Sequence, residues 1–121
     1  MPEELKNFHQ LIVWQKARAF VLFVYKLSKA FPPGELYGVT SQIRRAVVSI
    51  TLNIAEGFER YHFKDKVRFY HQARGSAAEV ECLFYLTKDL QYITDEQFEI
   101  GTASIIEIGK LINGLIRSTY A

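Results

Sequence analysis

Apolar residues recur at intervals of three and four along almost the whole chain, and no stretch sustains strand-like alternation. In the first run Val13, Ala17, Phe20, Val24 and Leu27 form one seam, which predicts a helix from about His9 to Ala30. Asn7 is placed to cap it. Phe31-Pro32-Pro33-Gly34 ends it, because proline removes an amide and restricts the residue before it. Thr40 or Ser41 caps a second helix that reaches about Arg60, and a third spans about Phe63 to Gln91. Thr94-Asp95-Glu96-Gln97 has the form of a capping box and opens a fourth helix to about Ser118. Phe98, Gly101, Ile105, Ile108, Ile112 and Leu115 make its seam. Four amphipathic helices with short connections predict an all-α, antiparallel up-down four-helix bundle.

The second helix has more apolar surface than one bundle uses. On a wheel of about 100° per residue, Ile43, Ala46, Val47, Ile50, Ile54, Gly57 and Phe58 form an ordinary core stripe. Gln42, Arg45, Ser49, Asn53, Glu56 and Arg60 form a continuous polar stripe beside it. Beyond that stripe lie Val48, Leu52 and Ala55, apolar again. Either another subunit covers Val48 and Leu52, or the loop around Leu36-Tyr37 does. In the third helix Phe69, Ala73, Ala77, Val80, Phe84 and Thr87 form the expected core seam, while Leu83, Leu86 and Leu90 occupy another side. Gly75-Ser76-Ala77-Ala78 sets four small residues in mid-helix, where glycine costs about 1 kcal/mol relative to alanine. Close approach of a neighbouring helix would offset that cost. Apolar surface beyond the core points to self-association, with Val48, Leu52, Ala55, Leu83 and Leu86 at the interface.

Composition narrows the class. A chain of 121 residues, 49% of them hydrophobic, is one domain with material for one core, spanning residues 1–121. The single cysteine, Cys82, leaves no internal disulfide framework and reads as a small interior residue. The start carries Glu3 and Glu4 and no apolar run, so no leader is expected. The longest strongly apolar charge-free stretch, Ala46 to Ala55, is about half a membrane span. The expectation is a cytoplasmic protein with no membrane partner. Glu59 precedes His62 by three, but neither His9 nor His71 follows a glutamate at that spacing, so the two Glu-x-x-His pairs of a di-metal bundle are not both present. The seven glycines are isolated and form no phosphate loop. No cofactor and no enzymatic activity are expected.

Charge is uneven along the chain. Residues 44–74 hold seven Lys/Arg against three Asp/Glu, whereas residues 75–121 hold three against seven. Arg60, Lys64, Lys66, Arg68 and Arg74 are interleaved with Tyr61, His62, Phe63 and Tyr70, a mixture that suits phosphate contact with base stacking. The same residues also suit solubility and capping at a turn. Gln42, Arg45, Asn53, Glu56 and Arg60 are placed to face Glu79 and Glu81 of the third helix. That stripe is either a charge network fixing helix register or a recognition surface at a subunit junction.

Several runs appear together and in order. They are Leu11-Ile12-Val13-Trp14-Gln15-Lys16-Ala17, Tyr37-Gly38-Val39-Thr40-Ser41-Gln42-Ile43-Arg44-Arg45-Ala46, Asn53-Ile54-Ala55-Glu56-Gly57, and Ala73-Arg74-Gly75-Ser76 with Glu79. With these the chain resembles the bacterial four-helix-bundle family encoded by intervening sequences in 23S ribosomal RNA genes, over roughly residues 8–118. Thr51-Leu52 departs from it, since the family commonly has proline and a small residue there. The resemblance implies an antiparallel bundle, and related members form homopentameric rings. It extends to accessory proteins of diversity-generating retroelements, basic pentameric barrels that bind a reverse transcriptase and nucleic acid. It brings no catalytic residue. It implies that Gln42, Arg44, Arg45, Asn53, Glu56 and Glu79 form a polar junction network and that Gly57 and Gly75 are packing positions. The expected function is a non-enzymatic homopentamer that binds RNA or DNA as an accessory factor, with a protein partner such as a reverse transcriptase. The alternative is an oligomeric protein-interaction scaffold without nucleic acid.

Overall fold

Helix ends follow local chemistry more closely than the wheel did. The computed structural model describes residues 5–120; Glu3 and Glu4, which argued against a leader, lie outside the described residues. A 3-10 turn at Phe8–Gln10 comes first, and the Gln10 side chain accepts from the Lys6 and Asn7 amides at 2.8 and 2.9 Å. Asn7 therefore heads this turn, and α1 (Ile12–Ser28) starts after an extended Leu11. Pro33–Glu35 and a π-helical turn at Leu36–Thr40 lead into α2 (Ser41–Glu59). The Glu35 carboxylate holds this connection, accepting from the Val39 amide at 3.4 Å and from the Tyr92 hydroxyl at 2.7 Å.

α3 (Phe63–Asp89) closes through Gln91, whose φ of 63° is the left-handed conformation that usually calls for glycine. Tyr92 then donates back to the Thr87 carbonyl and Gln91 to that of Lys88, both at 2.9 Å, so the last turn is hydrogen-bonded. α4 (Asp95–Tyr120) opens with the predicted box: Thr94 Oγ1 accepts from the Gln97 amide at 3.1 Å and Gln97 Oε1 from the Thr94 amide at 2.9 Å.

α1 packs on α2, α2 on α3, α3 on α4, and α4 back on α1. Val13, Ala17, Phe20, Val24 and Leu27 meet Ile43, Val47, Ile50 and Ile54 in the core between them, with Ile105, Ile108 and Ile112 from α4. No strand occurs among the described residues, and no helix there is long and apolar enough to cross a membrane.

α3 corrects the expected seam. Val67 and Tyr70 are its buried residues near the start, and Phe69 is only half-buried. Leu83 is also in the core, 4% exposed, so it does not belong with Leu86 on an outer face. A helix flanked by α2 on one side and α4 on the other is buried over a wider arc than a single seam. Cys82 is exposed rather than interior. Gly57 is a packing position, where an added methyl would lie 2.5 Å from Tyr70 Cε1. Gly75 is not one within the chain, since an added methyl there would meet nothing within 4 Å.

Candidate functional site

The polar stripe of α2 divides into three places. Gln42 and Arg45 reach a cleft of about 530 Å³ between α2 and α3, shared with Tyr37, Gly38 and Ser41 on one side and Ser76 and Glu79 on the other. At its floor the Ser49 and Ser76 hydroxyls hydrogen-bond at 2.9 Å, and Asn53 Nδ2 donates to Ser49 Oγ at 3.0 Å and to the Ser49 carbonyl at 2.9 Å. Arg45 and Glu79 line the same cleft without closing an ion pair. Arg44 turns the other way, donating to the buried Ser28 Oγ at 2.8 Å with its guanidinium 4.8 Å from the Tyr25 ring centre. Glu56 stays on its own helix, paired with Arg60 at 3.4 Å. Glu81 does not line the cleft.

Across the ridge made by Arg45 and Ser49 runs an apolar groove of about 360 Å³, walled by Tyr25, Arg44, Val48 and Leu52. Val48 is half-buried against the core, whereas Leu52 is 58% exposed. The Leu36-Tyr37 loop does not cover this groove, and Tyr37 itself is 93% exposed. Ala55 lies farther along, in a shallow hollow with Glu56, Glu59 and Arg60. Leu86 is exposed on α3, as are Tyr85 and Leu90.

The five basic residues do not form one cluster. Arg60 and Arg68 both lie against the Phe69 ring, at 4.7 and 5.3 Å from its centre. That accounts for Phe69 remaining outside the core: it is the platform for two guanidinium groups. Lys64 is exposed next to them. Lys66 has a structural task, donating from Nζ to the Phe58 carbonyl at 2.6 Å and more loosely to Gly57 at 3.4 Å, which satisfies the end of α2. Partial burial lowers its pKa, against a smaller raising effect from Glu59. Arg74 lies across α4, its guanidinium carbon 3.2 Å from where a methyl on Gly109 would be.

Two features were not legible in the sequence. Tyr120, at the end of α4, meets Phe63, at the start of α3, edge to face with centres 6.0 Å apart. Burial of Tyr70 against Gly57 pushes its hydroxyl up to about 12. Both are contacts between separate helices, for which periodicity carries no signal. His9, His62 and His71 are all exposed, and among the described residues no three His, Cys, Asp or Glu side chains gather as a metal site.

A solved protein of unknown function from the S23 ribosomal protein family of Bacteroides thetaiotaomicron has a similar structure. The two chains are 30% identical with a TM-score of 0.79, covering 87% of this chain and 98% of that one. Comparison with curated proteins finds no match. The sequence profile of the 23S rRNA-intervening sequence proteins matches residues 9–114, nearly the whole arrangement of helices, and the chain belongs to that family.

Proposed function

We propose that this chain is a single-domain, antiparallel up-down bundle that acts without catalysis, assembles into a homopentameric ring in the cytoplasm and binds nucleic acid as an accessory factor. The observation that carries the nucleic-acid part is the α2–α3 corner, where Arg60 and Arg68 share the Phe69 ring next to an exposed Lys64. Guanidinium groups held on an aromatic ring lose less freedom on meeting a phosphate than free side chains do. Self-association is supported by the groove at Val48 and Leu52, which no part of the described chain covers.

A second reading is a protein-interaction scaffold. It is favoured by the cleft at Gln42, Arg45 and Glu79, whose opposed charges leave both a donor and an acceptor for a partner surface.

Light scattering at low and high salt, with and without a mixed RNA and single-stranded DNA pool, tests these readings. The expected result is a mass of about five chains that rises with nucleic acid at low salt. Three phosphate contacts, from Arg60, Lys64 and Arg68, give a salt slope of about −2, so affinity should fall roughly 20-fold between about 50 and 200 mM salt. A pentamer indifferent to nucleic acid would leave the scaffold reading. A monomer would remove the ring.

A further inference from the structure

Exposed apolar side chains are scattered over the protein, and Tyr37 and Tyr85 are exposed rings outside the α2–α3 corner. Leu22, Leu52, Leu86 and Ile100 are aliphatic and sit along the bodies of the helices. At the α2–α3 corner the exposed residues are rings: Tyr61 is 91% exposed, Phe63 50% and Tyr120 64%. The Tyr61 ring stands perpendicular to the neighbouring His62 ring, with centres 5.2 Å apart. Phe63 and Tyr120 brace each other edge to face at 67°, which leaves a ring face open to solvent.

The cations at this corner are nearly balanced. Arg60, Lys64 and Arg68 belong to it, and Arg117 lies one turn before Tyr120, while Glu56, Glu59 and Asp65 oppose them. Glu56 pairs with Arg60, and Asp65 stands 4.0 Å from Arg68. Lys66 is tied to the end of α2 and adds little. A small charge surplus gives weak, salt-sensitive attraction to any phosphate backbone. Stacking on an aromatic ring adds about 5- to 150-fold in affinity per base. In a duplex the base faces are covered by their neighbours, so this gain is open only to unpaired bases.

We infer that the ligand of this corner is single-stranded nucleic acid, with unpaired bases stacking on Tyr61 and on the Phe63–Tyr120 pair while Arg60, Lys64 and Arg68 follow the phosphates. The inference rests on the nucleic-acid reading above and specifies the form of its ligand. RNA and DNA strands share this chemistry, because every base has a stacking face.

The test is fluorescence anisotropy of the full chain with labelled oligonucleotides of about 12 nucleotides, as single-stranded RNA, single-stranded DNA and the matching DNA duplex. Single strands are expected to bind at least about tenfold more tightly than the duplex at low salt. Tyr61→Ala should weaken single-strand binding by about tenfold and leave duplex binding unchanged, while Tyr61→Phe keeps the parent affinity. Tyr61 contributes almost nothing to the packed interior, and the circular dichroism melt of each variant checks that folding is intact. Equal affinity for single strand and duplex, or a Tyr61→Ala protein with unchanged single-strand affinity, would overturn the stacking inference and leave a phosphate-only contact. Binding to none of the three probes would overturn the nucleic-acid reading itself. Whether the RNA or the DNA strand binds more tightly identifies the sugar preferred.

Discussion

Replacing Gly101 by alanine sets two effects of opposite sign against each other. Alanine in a helix interior is favoured over glycine by about 1 kcal/mol. At Gly101, however, the added methyl would lie 2.1 Å from Phe84 Cε1, 2.5 Å from Cζ and 2.8 Å from Cδ1. Carbon atoms in contact need roughly 3.5–4.0 Å, so α4 or the ring must give by more than about 1 Å. Phe84 is fully buried and its ring stacks on Phe20 with centres 5.9 Å apart, which leaves no space to turn into. Overpacking of this size costs about 3 kcal/mol, the upper end of the usual range. The net effect is a loss of about 2 kcal/mol. Gly75→Ala is the matched control: it is also in mid-helix but meets nothing within 4 Å, so the propensity gain of about 0.5–1 kcal/mol should remain. Urea unfolding followed by circular dichroism, at one protein concentration, reads both. With a slope of about 2 kcal/mol/M, the midpoint should fall by about 1 M for Gly101→Ala and rise by about 0.3–0.5 M for Gly75→Ala. A Gly101→Ala protein as stable as its parent would mean that the Phe84 ring is not wedged against α4. The account of this core would then fail.

Leu52→Glu should lower the mass seen by light scattering while the helical signal is kept, because this side chain is already 58% exposed in the single chain; unchanged mass would exclude this groove as an interface. Val48→Glu should also unfold part of the protein, since Val48 packs on the core. Lys66→Ala should cost about 1–2 kcal/mol by leaving the end of α2 without its donor, visible in the urea midpoint. The Tyr70 hydroxyl is pushed up from 10.0 to about 12, so the folded chain holds this proton more tightly than the unfolded one. Its stabilising contribution is complete below about pH 10 and is lost as the pH rises towards about 12. Tyr70→Phe should flatten that alkaline loss, and urea midpoints at about pH 9 and 11 would show it.

The sequence by itself determined what depends on local spacing. The α1 seam from Val13 to Leu27 is buried throughout, as is the inner stripe of α2 from Ile43 to Ile54, because a 3.6-residue repeat decides which side chains share a face. The Thr94 to Gln97 box formed as written, since all its partners lie within one turn. The Val48 and Leu52 surface was visible for the same reason. What lies across from a face is set by another segment, and only the tertiary structure decided it. Leu83 and Tyr70 went inside, and Phe69 out, because α3 is enclosed by two neighbours and its wheel has no single apolar side. Gln42, Arg45 and Glu79 came to one cleft while Arg44, between the first two in sequence, went to Tyr25 and Ser28: successive helical residues point about 100° apart. The meeting of Phe63, in the middle of the chain, with Tyr120, near its end, has no local signature, because it exists only once α3 and α4 are packed side by side.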